Sequence, residues 1–336
     1  MTSRRSMIRV LQFALAAVVT ISVSAYSSSS WSQAPGVTLP DQIRIIVPFA
    51  TGGSNDIAAR IFSPYLQKEL GVRVIVVNIK GGSGNNGLTT LANAKPDGST
   101  LATYFTPMTH LLPKLGTTGY DSKTLTPIMN LTAGTEVLLT AVDSKLSNLK
   151  DVAAALKAGK DLTIGVAGYG SNAFIASALL KRHPEFTKVR PVPYQGGGEV
   201  RNAIIGGHIS LAMMGSIVAI PSVRSGQMKA LAIAGSKRVT EIANVATAAE
   251  HGYKGIEVND QLGLMGPPGM DAALVKKIAA AGVKAASNPE FVAKAAKAGL
   301  PLDVQNSEDY TKVLDDLSKV LDDWKAAVNE VGRPGQ

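Results

Sequence analysis

From residue 43 onward, short β-branched runs alternate with apolar residues at helical spacing, the pattern of an α/β protein whose strands are joined by crossover helices. Residues 43–49 predict a buried strand and residues 50–55 a loop of small residues; Ile57, Ile61, Phe62, Tyr65, Leu66 and Leu70 then recur on one helical face. Gly71 ends that helix, and Pro64 inside it predicts a kink or a break. Residues 72–78 read as a second strand, 80–87 as a glycine-rich loop entering a helix that runs to about Ala94, and 100–104 as a third strand after the turn Pro96-Asp97-Gly98. Together these make one βαβαβ unit with a parallel sheet.

A comparable layout follows a helix predicted over 149–158. It comprises a strand at 162–167, a loop at 168–172, a helix at 173–182, a strand at 189–194, a turn at 195–198, a helix at 199–205, and strands at 209–213 and 228–234. The alanine- and lysine-rich tail predicts helices near 273–287, 289–298 and 307–331, expected to pack back on the first half. No low-complexity linker separates the halves, so ordinary segments must cross between them near Thr140 and Ser236. The expected architecture is two doubly wound α/β domains with a ligand cleft between them: residues 35–140 with 236–336 as a discontinuous first domain, and 141–235 as the second.

The start of the chain breaks this pattern. Arg4, Arg5 and Arg9 precede an apolar run over 10–25, followed by a small, polar stretch ending Ser32-Gln33-Ala34. That is the order of a secretory signal peptide, assigned to residues 1–34 and cleaved near Ala34 or Ala25. The run is shorter than the roughly 20 residues a spanning helix needs, and Gln12, Thr20, Ser22 and Ser24 interrupt it. Ser3-Arg4-Arg5-Ser6-Met7-Ile8 has a twin-arginine look, which leaves both folded and Sec export open. The expected compartment is the periplasm.

The 336 residues are 45% hydrophobic, enough for a sizeable core, and include no cysteine, so disulfides, thiolate metal sites and a cysteine nucleophile are excluded. The formal charge is +9, with lysines and arginines dispersed and no basic patch interleaved with aromatics, a poor match to nucleic acid. A mild positive field instead favours encounter with anionic solutes.

Three strand-to-helix loops carry the candidate chemistry: Ala50-Thr51-Gly52-Gly53-Ser54-Asn55-Asp56, residues 81–87, and Gly168-Tyr169-Gly170-Ser171-Asn172. In open α/β sheets ligands bind outside the carboxyl ends of strands, where helix N-termini present free N–H groups and a partial positive charge. Such loops hold a carboxylate without an arginine, and glycine admits the ligand close to the backbone. They also serve as ordinary tight turns with Ser, Asn and Asp as caps. Asp56 reads as a cap or loop support rather than a ligand contact, because a carboxylate beside a bound anion is unfavourable.

Gly82-Ser83-Gly84-Asn85-Asn86-Gly87 matches the dinucleotide fingerprint, yet it follows the second strand and lacks the ribose-binding acid about 20 residues on. His110, His183, His208 and His251 form no metal pair, and no serine lies in a nucleophile elbow, so no catalytic or metal residues are assigned. His110, just after the third strand in Phe105-Thr106-Pro107-Met108-Thr109-His110, is placed to reach the cleft. An exported or nucleotide-dependent enzyme of doubly wound fold is one reading of these loops, the other being a protein that binds a solute without chemistry.

Val47-Pro48-Phe49-Ala50-Thr51-Gly52-Gly53-Ser54-Asn55-Asp56 resembles the opening motif of the substrate-binding receptors of tripartite tricarboxylate transporters, the Bug receptors. The likeness continues in order through 81–87, Pro96-Asp97-Gly98, 168–171, Val192-Pro193-Tyr194-Gln195-Gly196-Gly197, Ile205-Gly206-Gly207 and 263–268. The resemblance implies a type II periplasmic-binding-protein-like fold without cofactor or metal. It implies hinge closure on a small carboxylate, either a dicarboxylate or an aromatic carboxylate, and delivery to the membrane subunits of a transporter; a receptor that signals to a sensor kinase is a further possibility.

Carried over, the ligand contacts are Ala50, Thr51, Gly52, Gly53, Ser54 and Asn55 in the first loop and Gly168, Tyr169, Gly170, Ser171 and Asn172 in the second. Asp56, Phe105, Thr106, Tyr194 and Ser216 complete the set of candidate site residues. The sequence departs from the family in having Ala173-Phe174 where many members have a Ser-His pair, and Gly215-Ser216 where an Asp often follows the strand. Both changes remove polar handles, while Tyr169, Phe105 and Phe174 add aromatic ones, which tilts the expected ligand toward a less polar carboxylate. A monomer is expected.

Overall fold

The computed structural model describes residues 37–116, 118–318 and 320–333, so the leader expected over 1–34, with cleavage near Ala34 or Ala25, lies outside the described residues. From Leu39 onward the chain forms one compact unit. Its strands are β1 (Gln42–Val47), β2 (Arg73–Asn78), β3 (Thr100–Thr106), β4 (Thr126–Ala141), β5 (Thr163–Val166), β6 (Arg190–Pro193), β7 (Leu211–Gly215), β8 (Met228–Ala234), β9 (Asn259–Gly266) and β10 (Leu302–Gln305). The α-helices are α1 (Ser54–Leu70), α2 (Asn85–Ala92), α3 (Met108–Leu115), α4 (Leu149–Lys157), α5 (Asn172–Lys181), α6 (Gly197–Ile205), α7 (Ser216–Arg224), α8 (Ala272–Ala286), α9 (Pro289–Lys297), α10 (Ser307–Leu317) and α11 (Leu321–Val331).

The strands run in the order β2-β1-β3-β9-β4-β7-β5-β6, with β10 and β8 also paired to β4. The β2-β1-β3 and β6-β5-β7 groups are parallel, as the alternating pattern predicted; they are joined through antiparallel pairs of β3 with β9 and of β4 with β9, β7, β8 and β10. The sheet is therefore mixed rather than parallel throughout. β4 is 16 residues long and changes partners midway: residues up to Thr135 pair with β9, and from Glu136 onward it pairs with β7 and β8.

The parallel strands are apolar because helices cover both faces. In β1, Ile43, Ile45, Ile46 and Val47 are all fully buried. Helix ends follow their signals. Asn148 caps α4 by accepting from Lys150 N and Asp151 N, Asp271 caps α8 in the same way, and Gly71 closes α1 in the left-handed region.

Two expectations are corrected. Helix α1 runs unbroken through Pro64, which sits on its exposed face, where water can satisfy the carbonyl that proline leaves free. The tail predicted as one helix over 307–331 is two, α10 and α11. Ser318 Oγ donates to Asp315 O at the break, a local competitor of the helical ladder. The tail also divides its packing: α8 lies on α1 and α10 on β4, whereas α11 packs on α5 and α3. Arg182, just past the end of α5, fixes α11 through Asp323 and Glu330 at 2.8 and 2.9 Å.

Candidate functional site

Four helix N-termini meet around one small chamber. Gly53, Ser54 and Asn55 come from the start of α1, Ser171, Asn172 and Ala173 from α5, Gly197 from α6, and Gly215 and Val218 from α7. Phe49, Phe105, Glu136, Ala167, Met213 and Met214 complete the lining. The cavity is about 40 Å³, room for roughly three or four waters at 10–15 Å³ each. Each helix start contributes unpaired N–H groups and a partial positive charge, so the chamber is suited to an anion although no lysine, arginine or histidine among the described residues lines it.

The loops reach this position through close backbone packing. Ala50 N donates to Gln195 O at 3.3 Å, and a Cβ on Gly198 would lie 2.5 Å from the Thr51 carbonyl oxygen, so only glycine permits this approach. Gly170 adopts φ +73, which turns the chain into α5, and a side chain there would strike Leu115. Ser171, 3% exposed, accepts the Phe174 N–H at 3.1 Å as the cap of α5, which leaves its hydroxyl proton for an acceptor in the chamber.

Asn172 is fully buried; its Nδ2 donates to Thr106 O at 2.6 Å and its Oδ1 accepts from Met108 N at 3.3 Å. One side chain thus ties the start of α5 to the end of β3 and the start of α3.

Of the residues singled out from sequence, Gly53, Ser54, Asn55, Phe105, Ser171 and Asn172 line the chamber. The others stand outside its lining. The Asp56 carboxylate accepts from Gly52 N, Arg60 Nε and Asn78 Nδ2 at 2.9 to 3.0 Å, so it holds the 50–53 loop in place. Ala50 is buried against Gly196, while Thr51 and Gly52 are exposed on the loop's outer side.

Thr106 spends its hydroxyl on Gln261, whose N–H it accepts at 2.9 Å. Gly168 and Gly170 shape the loop; Tyr169 leans on Phe174 at 5.0 Å between ring centroids and lies under the Arg333 guanidinium at 5.2 Å. Phe174 itself is in the apolar core, and Tyr194 packs beside Val200. Of the three aromatic handles expected, only Phe105 reaches the chamber, where Phe49 joins it. His110 is turned away: its Nδ1 bonds the Tyr104 hydroxyl at 2.6 Å, and burial lowers its pKa to about 4.

Glu136, Phe49, Met213 and Met214 were not anticipated. Glu136 is 2% exposed at the point where β4 changes partners, and burial followed by repulsion from Asp260 raises its pKa well above the ordinary carboxylate range. Asp260, equally buried, is pushed up to about 7 by desolvation.

Helix N-termini gathered on an enclosed chamber within a mixed α/β fold define a solute-binding protein of the periplasmic type. The solved structures described as "periplasmic binding protein BugD" and as MatC from Rhodopseudomonas palustris with bound malate are similar to this chain over 87% and 86% of its length and 98% and 100% of theirs. Their TM-scores are both 0.79, at 25% and 27% identity. BugT of Bordetella pertussis is 30% identical over 237 residues, 69% of this chain and 72% of its own. The sequence profile of the tripartite tricarboxylate transporter family receptor, TctC, matches residues 58–332. The chain belongs to that family, whose members are periplasmic substrate-binding receptors and not enzymes.

Proposed function

We propose that this receptor captures a small carboxylate by closing two lobes about the chamber and delivers it, chemically unchanged, to the membrane subunits of a tripartite transporter. The observation that carries the reading is the convergence of the N-termini of α1 and α5, from segments more than a hundred residues apart, on one cavity without a cationic side chain. MatC, a relative of the same family fold, holds malate. The lobes are residues 35–140 with 236–336, and 141–235; β4 and the segment between β8 and β9 cross between them and serve as the hinge.

Among the described residues no helix is long and apolar enough to cross a membrane. Cleavage near Ala34 or Ala25 releases a monomer into the periplasm. A sheet joined by ordinary strands and a chamber this small favour a clamp that opens to admit its ligand.

A thermal-shift screen of the mature protein against a carboxylate library tests the reading. A ligand at 100 times its Kd stabilises by about 2.7 kcal/mol. Small-angle scattering should then show compaction, with the ligand recovered intact. Turnover of the bound acid, or no stabilisation by any carboxylate, would overturn it. Mass spectrometry of the periplasmic fraction locates the cleavage site.

A further inference from the structure

The chamber contains a titratable carboxyl group of its own. Glu136 lines it, and its Oε2 has no hydrogen-bond partner among the described residues. Two more oxygens are buried and unpartnered: Asn55 Oδ1 in the lining, and Ser216 Oγ on the residue after the lining Gly215. Behind them Asp260, 1% exposed, has neither carboxyl oxygen in a formed hydrogen bond, and the Gly134 amide nearby eases its charge only in part. Asp260 Oδ1 and Ser216 Oγ crowd one glycine, lying 2.7 and 2.9 Å from where a Cβ on Gly134 would stand. Buried polar atoms almost always have partners, so a group of unpartnered oxygens beside a cavity points to donors brought by the ligand.

We propose that the occupant carries, besides the carboxylate held by the helix N-termini, a protonated nitrogen that donates to Glu136 and Ser216. The ligand is then a small amino monocarboxylate, and Glu136 selects against a second carboxylate. This rests on the receptor reading above and narrows it. An ammonium has three donors and no acceptor, which fits a cluster of unpartnered oxygens. It also balances charge: the ligand's ammonium offsets the charge that Glu136 takes up when it ionises in the chamber, while the carboxylate rests on the helix N-termini. Without a cation beside it the Glu136 and Asp260 pair holds a proton, because burial raises both carboxyls and Asp260 further repels Glu136; entry of an ammonium displaces that proton.

The test is calorimetry on the mature protein at neutral pH, in buffers of different ionisation enthalpy. Glycine, alanine, β-alanine and γ-aminobutyrate are compared with acetate, propionate and butyrate, and with malonate, succinate and malate, each with and without Mg²⁺ or Ca²⁺. At least one amino member should bind more tightly than both of its counterparts and release a proton. Glu136→Gln should weaken that ligand by at least about tenfold and improve dicarboxylate binding.

Tighter binding of a dicarboxylate to the unaltered protein, with its rank unchanged in Glu136→Gln, overturns this inference and leaves the receptor reading in place. Dicarboxylate binding that requires the divalent cation also overturns it, since the positive charge then comes from a separate ion. Binding by no member of the three series removes both readings. Should Glu136→Gln fail to fold by circular dichroism, the ranking and proton release of the unaltered protein decide alone.

Discussion

Replacing Asn172 with alanine removes a fully buried side chain whose amide grips the 106–108 segment from both ends, at 2.6 Å to Thr106 O and 3.3 Å from Met108 N. Each such bond contributes a net of about 0.5–1.5 kcal/mol, and a buried group left without a partner costs about 1–3 kcal/mol more. The longer bond is the weaker of the two, so the total loss is about 2–4 kcal/mol. Where it is felt depends on when the bonds form. If they persist with the lobes apart, the loss appears in urea unfolding of the ligand-free protein. If they form on closure, unfolding is unchanged and ligand affinity falls roughly 30- to 1,000-fold, at 1.4 kcal/mol per tenfold. Asn172→Asp keeps the shape and the acceptor but cannot donate to Thr106 O and adds an anion, so it should be at least as damaging. Calorimetry and urea unfolding on both variants give the answer. Asn172→Ala matching the unaltered protein within about 0.5 kcal/mol in both measurements would refute the reasoning.

Gly198→Ala places a methyl group 2.5 Å from the Thr51 carbonyl, a backbone atom that cannot rotate away. Ligand affinity should fall by at least about tenfold, a loss of roughly 1.4 kcal/mol, with scattering showing incomplete compaction; unchanged affinity would mean these loops need not meet. Ser171→Ala should cost on the order of 1 kcal/mol of binding, since water can partly replace one hydroxyl, whereas Lys80→Ala, whose exposed ammonium is 3.6 Å from Glu199, should alter mainly salt dependence. The reverse ranking by calorimetry would show the anion to be held by a side-chain charge.

Buried titratable groups should pull stability in opposite directions across the same mildly acidic window. The unfolded chain protonates His110 near 6.5 and the folded chain only near 4, so about 3 kcal/mol is lost as pH drops through that window. The Glu136 and Asp260 carboxyls, raised by burial, favour the unfolded state as pH climbs from the ordinary carboxylate range toward 7. His110→Gln should remove the gain in stability that neutralising the imidazole brings as pH rises from about 4 to 6.5. Asp260→Asn should remove the opposing loss and stabilise at alkaline pH by more than the roughly 1.4 kcal/mol of one pKa unit, as read from urea melts across pH.

Periodicity and glycine placement were enough to locate most elements and the two loops that open the site. Strand β1 shows its burial as an unbroken apolar run, and Ser171 shows its capping role by standing before a helical pattern. These are short-range signals, because a strand's apolar faces and a helix's first turn are set by neighbouring residues. The linking strands were less legible. β4 is half apolar with polar residues interspersed and reads as neither element cleanly, since its two halves face different partners.

Nothing near Glu136 marks it as more than a polar residue before Val137-Leu138-Leu139. Its burial comes from β7, β8 and the start of α7, some eighty to a hundred residues away, and that burial, followed by repulsion from Asp260 further still along the chain, raises its pKa. The same holds for Asn172, whose sequence position announces a helix start but whose partners, Thr106 and Met108, are brought to it only by folding. The sequence by itself determined the parallel strands, most of the helix starts and the family. The tertiary structure decided which of those starts face one chamber and which charge is buried among them, because desolvation sums over segments that are distant in sequence and carry no local pattern of their own.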